Sequence, residues 1–136
     1  MHANLALVAI TVHDYDEALA FYVEKLGFEC VEDTDLGDGK RWVRVRPRGS
    51  SACLLLARAS GATQIASVGN QAGGRVFLFL ETDDCQASYD DLSARGVVFN
   101  DPPTEQPYGI DTSFRDPSGN NIRLTQVLEF SLERGR

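Results

Sequence analysis

Asp14-Tyr15-Asp16-Glu17-Ala18-Leu19-Ala20-Phe21-Tyr22-Val23-Glu24-Lys25-Leu26-Gly27-Phe28 decides the fold. Ala18, Leu19, Phe21, Tyr22 and Leu26 recur at helical spacing, and Asp16, Glu17, Glu24 and Lys25 are left for water. Asp14 is placed to accept from the free amides of the first turn, with Glu17 three residues on completing a capping-box pair. Gly27 stops the helix where a left-handed backbone costs glycine little. Apolar stretches on both sides make this the helix of a strand-helix-strand unit.

Outward from that helix, Asn4–Val12 reads as a strand buried on both faces and Phe28–Asp35 as a second strand. Leu36-Gly37-Asp38-Gly39-Lys40 is a tight turn. Arg41–Arg46 and Ala52–Arg58 follow as strands three and four. Residues 59–74 are small and polar, with helical character near Ala62–Val68, and read as an exposed crossover. The second half runs through a strand at Arg75–Thr82, a helix at Cys85–Arg95 stopped by Gly96, and strands at Val97–Asn100, Gly109–Phe114 and Asn121–Leu128. Asp116-Pro117-Ser118-Gly119 is a turn, since proline presets one angle and glycine supplies a positive φ. The tail from Glu133 to Arg136 is expected to fray. A shift of 69 residues lays Asp14 on Asp83, Ala18 on Ala87, Gly27 on Gly96 and Phe28 on Val97. The chain therefore reads as two copies of one βαβββ module.

Composition narrows the function. A chain of 136 residues, 43% hydrophobic, supports one domain with a sizeable core. Its net charge of −7 argues against a general nucleic-acid or anionic-membrane surface. Three cysteines at no metal-type spacing suit a reducing compartment. With no secretory signal and no apolar run of membrane-spanning length, a cytoplasmic protein is expected.

Two motifs carry a family resemblance. Val12-x-Asp14 with Phe21-Tyr22 and Lys25-Leu26-Gly27-Phe28, and later Phe114-Arg115-Asp116-Pro117-Ser118-Gly119-Asn120, resemble the vicinal oxygen chelate superfamily. That superfamily includes glyoxalase I, extradiol dioxygenases and the bleomycin- and fosfomycin-resistance proteins. The resemblance covers nearly the whole chain. It implies an α+β fold with modules at about 4–58 and 75–128, joined by the crossover at about 59–74. It also implies sheets curled round a cleft, commonly completed by a homodimer. Metal-dependent members take four ligands, two from each module, in the first and fourth strands. Carried onto this chain, those positions are Leu7 and Leu55, then Phe77 and Arg123. None offers a carboxylate, imidazole or amide, and Arg123 would repel a cation. No metal and no other cofactor is expected.

Strand alternation places Leu7, Ala9, Thr11, Trp42, Arg44, Leu55, Phe77, Phe79, Glu81, Arg123 and Thr125 on one face, with Cys53 also on that side. The opposite face is aliphatic throughout: Val8, Ile10, Val12, Val43, Val45, Leu54, Leu56, Val76, Leu78, Leu80, Ile122 and Leu124. The mixed face suits a small ligand, with Trp42, Phe77 and Phe79 against a flat apolar group and Arg44 and Arg123 for an anion. The plain alternative is that both arginines pair with Glu81 or Asp111. Tyr108, between Pro107 and Gly109, is a residue that could close over a ligand, and Glu81 is the candidate general base. The expected function is binding of a small aromatic or anionic molecule, anchored at Arg123 with its body on Trp42 and Phe77. The alternative is a glyoxalase-like lyase, isomerase or dioxygenase with a relocated metal site using His13, Glu81 and residues of a partner subunit. Neither reading involves nucleic acid or membrane.

Overall fold

Asp14 caps the first helix as its sequence requires, its carboxylate accepting the Glu17 amide at 3.0 Å. The structure, a computed structural model, describes residues 1–127. The expected end of the last strand at Leu128 and the tail lie outside the described residues. The chain divides into two units, residues 1–71 and 72–136, each built on a four-stranded mixed sheet.

In the first unit, β1 (Leu7–Val12), β2 (Glu29–Gly37), β3 (Lys40–Arg46) and β4 (Cys53–Arg58) lie in the order β1-β4-β3-β2. β1 and β4 run parallel; the other pairs are antiparallel. β1 is shorter than expected and buried on one face only. Ile10 and Val12 are buried, whereas on the other face Ala9 is exposed and Leu7 and Thr11 are half-buried; Val8, on the inward face, is 40% exposed. The β2–β3 hairpin closes on Asp38-Gly39, both at positive φ, the pattern that matches strand twist in a two-residue loop.

The helix departs from the expected regular form. α1 (Tyr15–Leu19) passes into a π-helical turn at Ala20–Lys25, where the Leu26 amide reaches back five residues to the Phe21 carbonyl at 2.9 Å. The wider turn inserts one residue. Phe21 and Tyr22 are both buried, edge to face at 5.1 Å, with Phe28 packed on Tyr22 at 5.7 Å. Arg41 fixes the start of the helix. It donates to Asp16 at 2.9 Å and to Asp33 at 2.6 Å, and lies over the Tyr15 ring. The Arg41 hydrogen bond holds the Asp33 carboxyl below its usual range.

The crossover contains α2 (Gly61–Ser67) and folds back onto β1. Ser67 bonds the Thr11 hydroxyl at 2.7 Å, and the Gln71 side chain accepts from the Thr11 amide at 2.8 Å and from its hydroxyl. Thr11, expected in a ligand-facing lining, is thus taken up by the crossover.

The second unit orders β5 (Val76–Glu81), β6 (Thr104–Gln106), β7 (Gly109–Arg115) and β8 (Asn121–Val127) as β5-β8-β7-β6, with α3 (Cys85–Ala94). Its cap is Asp84, which accepts from the Ala87 amide at 3.0 Å, rather than Asp83. The interval from cap to stop glycine is one residue longer in the first unit, the length its π turn absorbs. The expected strand at Val97–Asn100 is reduced to a single bridge between Phe99 and Phe114. The edge strand is instead β6, whose three residues are all exposed. Ile122, Leu124 and Phe114 are buried, but Val76, Leu78 and Leu80 are only half-buried, because α3 packs over β7 and β8 rather than β5. At the Asp116–Gly119 turn, Asp116 is buried and accepts from the amides of Ser118, Gly119 and Asn120 and from the Asn120 side chain, all within 3.1 Å.

Candidate functional site

Each sheet buries one face and leaves the other open, and the open faces carry the predicted site residues. In the first unit, register lines up Ala9, Leu55, Arg44 and Glu32 across all four strands. Arg44 Nε bonds Glu32 Oε1 at 2.9 Å. The expected partners of Arg44, Glu81 or Asp111, are therefore replaced by a carboxylate of its own hairpin. The signal was in the turn. Asp38-Gly39 closes the hairpin, and the irregularity between Asp35 and Gly37 brings Glu32 opposite Arg44. Trp42 lies on the same face, opposite Thr34 and 37% exposed. Leu7 pairs with Cys53 at the start of β4; Leu7 is half-buried and Cys53 fully buried.

In the second unit, Phe79, Arg123 and Ser113 form one row, and Glu81, Thr125, Asp111 and Thr104 the next. The Arg123 guanidinium lies over the Phe79 ring, 5.7 Å from its centroid. Phe79 is 67% exposed, large for an aromatic side chain, and the Arg123 side chain is 39% exposed. Asp111 is the carboxylate nearest to Arg123, but its Oδ2 stands 3.8 Å from Nε, beyond hydrogen-bond distance. The same oxygen accepts the Tyr108 hydroxyl. That bond, followed by burial, pushes the Tyr108 phenol above its ordinary value, with Arg123 opposing. Tyr108 is thereby tied to the sheet by its hydroxyl.

Phe77 sits in the register irregularity between Val76 and Leu78, so it lacks a partner position on β8. Glu81 is exposed, at the rim of an open depression shared with Thr82, Asp83, Gln126 and Val127. His13 is an exposed residue beside the helix cap. Among the described residues no three His, Cys, Asp or Glu side chains come together as a metal-ligating group. Leu7, Leu55, Phe77 and Arg123 do not fit a divalent cation, because three are hydrocarbon and one is a fixed positive charge.

Residues 4–124 match a family profile described as the Glyoxalase/Bleomycin resistance protein/Dioxygenase superfamily. An uncharacterized protein of Shewanella frigidimarina (strain NCIMB 400) is 49% identical over 93% of this chain and 96% of its own. Among solved structures, UcmS2 is similar at a TM-score of 0.81 and 34% identity, covering 92% of this chain and 98% of its own. TnmS3, an antibiotic binding protein from Streptomyces sp. CB03234, reaches a TM-score of 0.76 at 34% identity, covering 93% and 98%.

Proposed function

We propose that this chain, which belongs to the Glyoxalase/Bleomycin resistance protein/Dioxygenase superfamily, is a small-molecule binding protein that holds an aromatic, anionic ligand without a divalent metal. The observation that carries this reading is Arg123, which stands where metal-dependent relatives are expected to keep a ligand, stacked on an exposed Phe79 and only loosely countered by Asp111. A stacked guanidinium is already oriented, so less side-chain entropy is lost when a carboxylate or phosphate arrives. The face of Phe79 then offers apolar surface beside the anion. The 34% identity to a protein described as antibiotic-binding supports binding as the activity.

We add Phe77 and Tyr108 to this site in the second unit; the open face of the first unit, taken by itself, is proposed as a ligand surface with Leu7, Leu55 and Trp42. Arg44 belongs to it as a residue whose charge Glu32 already balances. A homodimer is part of the same reading and rests on the family resemblance; light scattering tests it against the 14.9 kDa monomer, and a cytoplasmic location is proposed with it.

The test is a matched pair of ligands, 2-naphthoate and 2-naphthalenemethanol, titrated calorimetrically into protein dialysed against a chelator. The acid should bind at least about tenfold more tightly than the alcohol, as expected for a charge-assisted contact. Equal affinity would remove the anion from the proposal.

A further inference from the structure

A cationic pocket lies wholly within the first unit. It is a depression of about 340 Å³ between the start of α1, the tip of the β2–β3 hairpin and α2. Trp42, Leu55 and Ala57 give it an apolar wall, and Lys40, Arg41 and Arg58 supply charge. In a chain of net charge −7, its lining contains three cationic side chains and no carboxylate.

The three cations differ in one respect. Arg41 is satisfied by Asp16 and Asp33. Lys40 and Arg58 have no carboxylate within ion-pair distance among the described residues. Arg58 is nevertheless ordered by its surroundings. Its guanidinium lies over the Tyr15 ring, 5.5 Å from the centroid, opposite β1 residue Val12 in register. It also runs close to the hairpin turn, where a Cβ placed on Gly39 would meet Arg58 Nη2 at 3.4 Å. A held, uncompensated guanidinium with a lysine beside it and an indole on the wall is a receptor for a planar acid.

We infer that this pocket binds an aromatic carboxylate or related oxyanion, its charged group between Lys40 and Arg58 and its ring against Trp42. The inference does not rest on Arg123 or on the second unit.

Trp42 is the chain's single tryptophan and lines this pocket, so its fluorescence reports binding here. Titrating the full chain with 2-naphthoate should change that emission saturably, and 2-naphthalenemethanol should be at least about tenfold weaker. Arg58→Gln and Lys40→Gln together should weaken the acid at least about tenfold, whereas Arg75→Gln, which removes an exposed arginine of the second unit, should shift it less than about twofold. Circular dichroism of each variant keeps loss of binding separate from loss of fold. The inference fails if the acid leaves Trp42 emission unchanged, if the alcohol binds as well, or if the double substitution has no effect. It also fails if Arg123→Gln abolishes the Trp42 signal, which would place the anion in the second unit. Loss of a calorimetric signal through Arg123→Gln with the Trp42 response intact bears on the proposed function alone.

Discussion

The Arg123 guanidinium stands over the Phe79 ring at 5.7 Å from its centroid, on the neighbouring strand and directly opposite in register. A cation over a ring face is attracted by the ring quadrupole, and at a partly exposed site this is worth about 0.5–1 kcal/mol. Replacing Phe79 with Leu keeps much of the apolar area and removes the quadrupole. Binding of an aromatic acid should weaken by about twofold to fivefold in calorimetry. An unchanged affinity would mean that the ring contributes no more than area.

Tyr108 provides a pH signature. Its hydroxyl donates to Asp111, and its phenol titrates above the ordinary value of 10.0. A raised acid group retains its proton in the folded state after the unfolded state has lost it. Its contribution to stability is therefore complete below about pH 10 and is lost as pH rises through the folded value. In an ultraviolet titration Tyr108 should ionise later than an unperturbed phenol. Tyr108→Phe should remove that late step, and its persistence in the variant would refute the assignment.

Much of this architecture is legible in the sequence, for reasons tied to particular residues. The Asp14 cap, Gly27 stop, Asp38-Gly39 hairpin and Asp116–Gly119 turn are local chemistry, written within four or five residues and unaffected by what packs nearby. The π turn is not legible that way. Phe21 and Tyr22 fit an ordinary helix as well, and only the extra residue relative to the second unit betrays the wider turn. β6 was hidden because Thr104, Glu105 and Gln106 are all exposed on an edge and carry no apolar alternation. Val97–Asn100 showed the opposite failure: its apolar residues look like a strand, but the chain makes only one bridge there before Pro102 and Pro103. On the site, alternation along β3, β5 and β8 placed Trp42, Phe79 and Arg123 on open faces. It said nothing of partners across strands, which is why Glu32 as the partner of Arg44 went unseen.

Asp116 is a structural carboxylate and should behave as one. Substituting Ala leaves the amides of Ser118, Gly119 and Asn120 without that acceptor in a partly buried turn. The expected loss is about 2–4 kcal/mol of unfolding free energy in a urea melt. A loss below about 0.5 kcal/mol would show that water replaces the carboxylate there.

The cysteines should separate cleanly. Cys53 and Cys85 are buried and Cys30 is exposed. A thiol reagent should modify one cysteine rapidly in native protein and all three after denaturation. Burial, then Asp33, raises the Cys30 thiol, so its labelling at pH 7 should be slower than that of a free thiol and should accelerate as pH rises. Rapid labelling of all three in native protein would contradict the burial.

The most direct test of the account is Arg123 itself, measured without metal. Protein carrying Lys40→Gln and Arg58→Gln is dialysed against a chelator, which leaves the second unit as the proposed anion site, and titrated calorimetrically with 2-naphthoate before and after adding Arg123→Gln. The account predicts binding in the chelated protein that weakens by about tenfold, roughly 1.4 kcal/mol, when Arg123 is neutralised. Binding that appears only on addition of a divalent cation, or that survives Arg123→Gln undiminished, would contradict it.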